Sequence, residues 1–218
     1  MSLSSVTGAS SILQPGVCTS TTRPASPYDG QVIYETDTDK VAVYDSSSWV
    51  YKTGTSHVAP ALVLISTTTV GTGVSSVTVS NCFSATYLNY KIWYNGNPSS
   101  ADNDLKLTLG SATANYNQVF VGASYSSNAF VGAASQNASG FIYSGASETV
   151  AGAYASIDLF NPFETKHTRM FGQMGNVSNA GYIGGILKDT TSHTGFTFTP
   201  ASGTLTGGTI RVYGYALS

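Results

Sequence analysis

Apolar and polar residues alternate along this chain in short runs broken by Gly, Asn, Asp and Pro, and no stretch carries the three-to-four-residue period and caps of a helix. A period of two places successive side chains on opposite faces of an extended strand. The sequence therefore predicts an all-β protein. Leu105, Leu107 and Leu109, alternating with Lys106 and Thr108, make the clearest half-buried strand, and Ile210 and Val212 between Thr209, Arg211 and Tyr213 make another. Further strands are expected at 61–67, 75–80, 90–94, 118–122, 140–143, 153–159, 168–171, 182–188 and 196–198. Strands of this number and spacing suit a two-sheet antiparallel β-sandwich of jelly-roll type.

Ahead of that region, residues 21–51 read as a separate small β-meander. Pro27-Tyr28-Asp29-Gly30 leads into a strand at 31–35, Asp37-Thr38-Asp39 turns the chain, and a second strand runs from Lys40 to Tyr44. Asp45-Ser46-Ser47 turns it again into Trp49-Val50-Tyr51. Alternation puts Val32 with Tyr34 and Val41 with Val43, leaving Trp49 to cover whichever face is buried. Three strands this short cannot hold a core alone, so the module is expected to lean on its own chain, a sister copy or an assembly. The expected organisation is an anchoring tail at 1–20, the meander and its linker at 21–60, and the β-sandwich at 61–218.

Composition narrows the function. Charged residues are 9% of the chain against about a quarter in an average globular protein, while apolar residues are 41%, enough for a core. The surface is then one of Ser, Thr, Asn, Gly and Tyr. A net charge of −2 with no basic run argues against nucleic-acid binding, whose affinity rests on neutralising phosphates. The apolar segment 59–65 is far below the ~20 residues of a spanning helix, so no membrane insertion is expected. The N-terminus has neither the basic start nor the apolar run of a secretory signal, which predicts synthesis and retention in the cytoplasm.

No catalytic, cofactor or metal site is expected. His57, His167 and His193 are far apart and lack zinc spacing. There is no Gly-x-Ser-x-Gly elbow, phosphate loop or dinucleotide fingerprint. Asp102-Asn103-Asp104 reads as a hairpin loop rather than a calcium loop, and Asn137 and Asn176 head glycosylation patterns of the kind chance supplies in an Asn- and Ser-rich chain. Asp158 and Glu164 are the carboxylates a glycosidase reading would need, with a loop salt bridge or subunit contact as the simpler assignment for the cluster of Glu164, Lys166, His167 and Arg169. Cys18 and Cys82 are expected to be free, Cys82 as a small buried hydrophobe.

The register of Arg23-Pro24, Pro27, Gly30-Gln31, Ile33-Tyr34-Glu35-Thr36-Asp37, Val43-Tyr44 and Ser48-Trp49-Val50 resembles a small module of virion structural proteins of tailed bacteriophages, notably cyanobacterial and marine phages. The closing segment 207–215 is similar in style to the β-sandwich tips of such proteins. The resemblance implies a non-enzymatic, homotrimeric particle protein, made in the bacterial host cytoplasm and carried on the virion surface. It would be a short tail fibre or appendage whose sandwich contacts host glycan, or alternatively a capsid decoration or head-fibre protein. A free lectin and a depolymerase are the remaining alternatives. Within the module Arg23, Pro24, Tyr28, Tyr34, Tyr44 and Trp49 are the candidate anchoring residues. Of fourteen tyrosines, Tyr87, Tyr94, Tyr116 and Tyr125 are the candidate ligand contacts, because they fall near loops and strand ends.

Overall fold

The computed structural model describes residues 15–52 and 61–216, and every regular element among them is a strand. The chain divides into two compact units, 1–58 and 59–218. Among the described residues no helix is long and apolar enough to cross a membrane.

The first unit is a four-stranded sheet in the order β1-β2-β3-β4, built from Gly16–Cys18, Val32–Glu35, Lys40–Tyr44 and Trp49–Tyr51. The three meander strands stand where alternation and turn residues put them. The turns use left-handed backbone at Asp39 and Ser46, and the Asp45 carboxylate accepts from Ser47 and Ser48 amides. The fourth strand was not legible: Gly16–Cys18 pairs parallel to β2. It is the described end of the segment assigned as tail, whose residues 1–14 lie outside the described residues.

Register keeps the expected faces of this sheet and decides which one is buried. Val32 stands opposite Val43, and Tyr34 opposite Val41, while Ile33 pairs with Ala42 and Ala42 with Tyr51. Trp49 therefore lies on the Ile33–Ala42 face, the one that is buried, as expected of it. Ile33, Ala42 and Glu35 are buried, whereas Val17, Val32, Val41 and Val50 remain exposed on the other face.

The second unit has twelve strands in two sheets. One sheet runs β5-β16-β7-β12-β13-β14-β9-β10 and the other β6-β15-β8-β11, with every pairing antiparallel. The strands are β5 Leu62–Thr69, β6 Val77–Val79, β7 Asn89–Asn97, β8 Asn103–Leu109, β9 Tyr116–Ser124, β10 Phe130–Ala138, β11 Phe141–Ser147, β12 Tyr154–Phe160, β13 Thr168–Gly175, β14 Asn179–Leu187, β15 Phe196–Pro200 and β16 Thr206–Tyr215. Strands β5 to β8, β11, β12, β15 and β16 form two interleaved four-stranded sheets, the jelly-roll arrangement. The hairpins β9–β10 and β13–β14 are insertions that widen one sheet to eight strands. The sheets touch in register at a single pair, Ala146 and Tyr154.

The core lies between the sheets. Leu105, Leu107 and Leu109 are fully buried, facing Ile92, Ile157, Leu159, Ile210 and Val212 of the wide sheet. An aromatic seam runs through it: Phe198 stacks on Tyr94 at 6.0 Å and meets Phe196 edge-on at 5.1 Å, and Phe196 stacks on Phe83 at 5.9 Å. Cys82 is free and buried, its thiol pushed up to about 12 by burial. Asn81, Asn115, Asn128 and Asn161 take left-handed backbone at the loops, and Asn137 does so at the irregularity near the end of β10, the conformation Asn tolerates best after Gly. A bulge between Thr206 and Thr209 needs glycine: a Cβ on Gly208 would lie 2.0 Å from the Asn95 carbonyl oxygen.

The expected strands of the sandwich are all present, most of them longer than alternation suggested. Strand β10 was missed. Its sequence, FVGAASQNA, holds few bulky side chains, and it is defined by its backbone pairing to β9.

Candidate functional site

The outer face of the eight-stranded sheet is where chemistry accumulates, because two of its cross-strand rows are aromatic and aliphatic where an exposed face should be polar. The first row runs Arg211, Trp93, Ser156, Gln173, Tyr182, Val121 and Gly132 from β16 to β10. The second runs Leu64, Tyr213, Lys91, Asp158, Phe171, Gly184, Val119 and Ala134 from β5 to β10. Exposure is 42% for Trp93, 51% for Phe171, 69% for Tyr182, 51% for Val119 and 59% for Val121. Trp93 meets Tyr213 edge-on at 5.1 Å, and Phe171 meets Phe160 at 5.9 Å.

Of the charges on these rows, Lys91 and Asp158 are paired, and Arg211 is exposed. Lys91 Nζ donates to Asp158 at 3.1 Å, and the Tyr215 hydroxyl donates to the other carboxylate oxygen at 2.5 Å. Burial and the Asp158 charge push the Tyr215 phenol up to about 12. Asp158 is thus occupied by a cation and a phenol, while Glu164 sits in a loop 3.6 Å from Lys166. The loop salt bridge expected at Glu164 is present.

Three hollows lie on this face. One of about 330 Å³ is lined by Lys91, Asp158, Phe171, Gln173 and Tyr182. A broader groove of about 610 Å³ runs past Asn117, Val119, Arg169, Phe171, Gly184 and Lys188. The third, about 380 Å³ at the strand ends, is lined by Tyr125, Tyr154, Gln173, Gly175, Gly181 and Tyr182, with no charged side chain. A Cβ on Gly175 would lie 3.4 Å from the Tyr154 hydroxyl and 3.5 Å from that of Tyr125, so both phenols converge over one backbone position. Burial pushes the Tyr154 phenol upward. Flat rings beside neutral donors and acceptors suit the apolar and hydroxylated faces of a sugar, or the side chains of another protein.

Of the four tyrosines expected to contact ligand, Tyr125 stands in this cleft. Tyr94 is buried between the sheets with its hydroxyl donating to the Gly207 carbonyl at 3.3 Å, and burial pushes its phenol up to about 12. Tyr116 is also buried, edge-on to Phe141 at 4.8 Å, accepting from the Leu109 amide at 2.8 Å. Tyr87 lies over Gly214, where an added Cβ would meet ring atoms at 2.4–2.6 Å. Tyr94 and Tyr116 are covered core residues, while Tyr87 is half-buried against the sheet. Reasoning from the sequence missed Trp93, Phe171 and Tyr182. The available signal was an apolar residue at the polar position of an alternating strand, as in Ile92-Trp93-Tyr94 and Met170-Phe171.

In the meander the candidate anchoring residues are largely spent on their own unit. Arg23 Nε donates to Glu35 at 2.5 Å, Arg23 Nη2 to the Tyr51 hydroxyl at 2.9 Å, and Tyr51 to the second Glu35 oxygen at 3.0 Å. Thr38 completes the shell of that buried carboxylate at 2.9 Å. The Arg23 guanidinium holds the Glu35 carboxyl below its ordinary range. Tyr34 donates to Asp39, and Tyr44 packs on Trp49 at 5.4 Å. Pro24 is half-buried, and Tyr28, 69% exposed, is the anchoring candidate left open.

Other sequence motifs have local structural roles. Asp102 accepts from the Thr149 amide at 2.7 Å and its hydroxyl at 3.0 Å, tying two loops, and Asn176 Oδ1 accepts from the Ser178 and Asn179 amides in a turn. His57 lies outside the described residues; His193 is buried with Nε2 unpartnered, and its imidazole is pulled below the ordinary value by burial. Comparison with protein-family models, with curated proteins and with solved structures finds no match to this chain.

Proposed function

We propose that this protein is a structural subunit of a tailed-phage particle, a short tail fibre or appendage protein that is not an enzyme and acts as a homotrimer. What supports the reading most directly is the wide outer face of the extended sheet, rich in exposed aromatic rings, on a chain otherwise surfaced with hydroxyls and amides. Such a face suits contact, and its carboxylate Asp158 is already committed to Lys91 and Tyr215. The meander is the attachment unit and the sandwich the outward one. Host glycan is taken at the strand-end cleft, with the rings of Tyr125 and Tyr154 as the stacking surfaces. Three weak sites on one rigid particle subunit gain affinity through effective concentration.

The exposed valines of the meander, Val17, Val32, Val41 and Val50, favour a second placement, as a capsid decoration protein clamped onto the head lattice. Labelling the C-terminus and imaging purified particles by cryo-electron microscopy separates the two. Label at the tail supports the appendage, label over the head makes it a decoration protein, and label at neither place refutes the particle reading. Glycan-array binding that survives Tyr125→Ala would refute the cleft.

A further inference from the structure

A sheet face meant for water alternates polar outward and apolar inward, and the insertion-widened sheet breaks that rule over its central strands. Three aromatic rings there, Trp93, Phe171 and Tyr182, are 42%, 51% and 69% exposed. At ~200 Å² per ring they present together roughly 320 Å² of largely apolar surface, within the range of the largest patch on a typical monomer. Val119, Val121 and the half-buried Tyr213 extend it along the same two rows. Resting on the reading of this chain as a particle subunit, we propose that this outer face is the surface through which copies of the chain pack against one another.

The dimensions favour a second copy over a small ligand. Eight strands at ~4.8 Å spacing span about 34 Å, and strands of nine residues at ~3.3 Å rise span about 30 Å. The face therefore offers about 1,000 Å², against the ~800 Å² per partner of a stable protein interface. A saccharide covers a fraction of that. Composition points the same way, since the core of a homo-oligomer interface is rich in aromatics and poor in charge. On the two rows Lys91 and Asp158 pair with each other within the chain, so both can be covered without an opposite charge from the partner, while the exposed Arg211, one strand in from the β5 edge, falls at the rim. The inserted hairpins are what make the face large enough: without β9, β10, β13 and β14 it would lose Val119, Val121, Phe171 and Tyr182. The cleft of Tyr125 and Tyr154 lies at the strand ends, at the margin of the face, and shares Gln173 and Tyr182 with it, so such a contact borders the cleft on that side.

The test is the mass of the full chain in solution by light scattering after gel filtration, for wild type and for Tyr182→Arg and Val121→Asp. Both side chains are exposed, so folding is expected to survive, and an unchanged circular dichroism spectrum checks it. The expected result is an oligomeric wild type and variants whose association is at least ~30-fold weaker, the size of effect seen at interface hot spots. Variants that remain oligomeric would place the interface elsewhere and overturn the proposal. So would a wild type monomeric at ~100 µM, and the overturn would favour a ligand if that monomer bound glycan and Tyr182→Arg did not. A monomer that labels particles would sink this inference and keep the particle reading; an oligomer that labels none would do the reverse.

Discussion

Replacing Phe198 by Ala tests the central structural claim, that the core lies between the sheets and the aromatic outer face is a surface. Phe198 is fully buried, stacked on Tyr94 at 6.0 Å and edge-on to Phe196 at 5.1 Å. Truncating a buried Phe costs about 3–5 kcal/mol through lost transfer energy and the cavity left behind. Two aromatic contacts, each worth ~0.5–1.5 kcal/mol beyond burial, push the value to the upper half of that range. In a unit of this size 1 kcal/mol corresponds to ~2–4 °C, so the melting temperature should fall by roughly 8–20 °C. Phe171→Ala removes the same side chain from the outer face, where half of it already meets solvent. Its cost in the dissociated chain is expected below ~1 kcal/mol. Equilibrium urea unfolding at one fixed low protein concentration measures both, since association would add its own stability. A Phe198→Ala cost below ~1.5 kcal/mol, or one equal to that of Phe171→Ala, would refute the assignment of inner and outer faces.

Glu35→Gln leaves the Arg23 guanidinium facing a neutral partner inside the meander, so amide exchange over 15–52 should speed up while the sandwich stays protected; unchanged exchange there would refute the network's role. The same carboxyl titrates below its ordinary 4.5 in the folded chain, so its contribution is present above that value and is lost as pH falls through the lower folded one, which exchange measured between pH 5 and 3 would reveal. His193 is held neutral by burial, partly opposed by the Asp189 charge. The unfolded chain then binds the extra proton, and sandwich stability should decline as pH drops below 6.5 toward the lowered folded value. His193→Gln should flatten that decline in the urea midpoint. Gly214→Ala forces a methyl against the Tyr87 ring and should destabilise the sandwich by ~1–3 kcal/mol, recovered in part by Tyr87→Ala; no recovery would mean the strain lies elsewhere.

The cleft and the outer face were only partly legible. Tyr125 is exposed at the strand ends, where loop ends gather such rings. Tyr94 and Tyr116 were misplaced because a tyrosine reads alike whether its hydroxyl meets water or, as here, the Gly207 carbonyl and the Leu109 amide. Arg23 entered as an anchoring candidate through the module it belongs to, and its bond to Glu35, twelve residues on, forms only when β2 folds back beneath it.

The sequence by itself determined the all-β class, the meander and the strands of the sandwich, because a period of two is a local property and Asp, Asn and Gly mark the turns between runs. The tertiary structure decided which strands join which sheet, and it added β1 and β10, whose side chains carry too little apolar pattern to announce them. It also decided the faces. Where a strand is apolar on both sides, as at Ile92-Trp93-Tyr94, only the second sheet, packed across the core, fixes that Ile92 and Tyr94 are covered and Trp93 is left open.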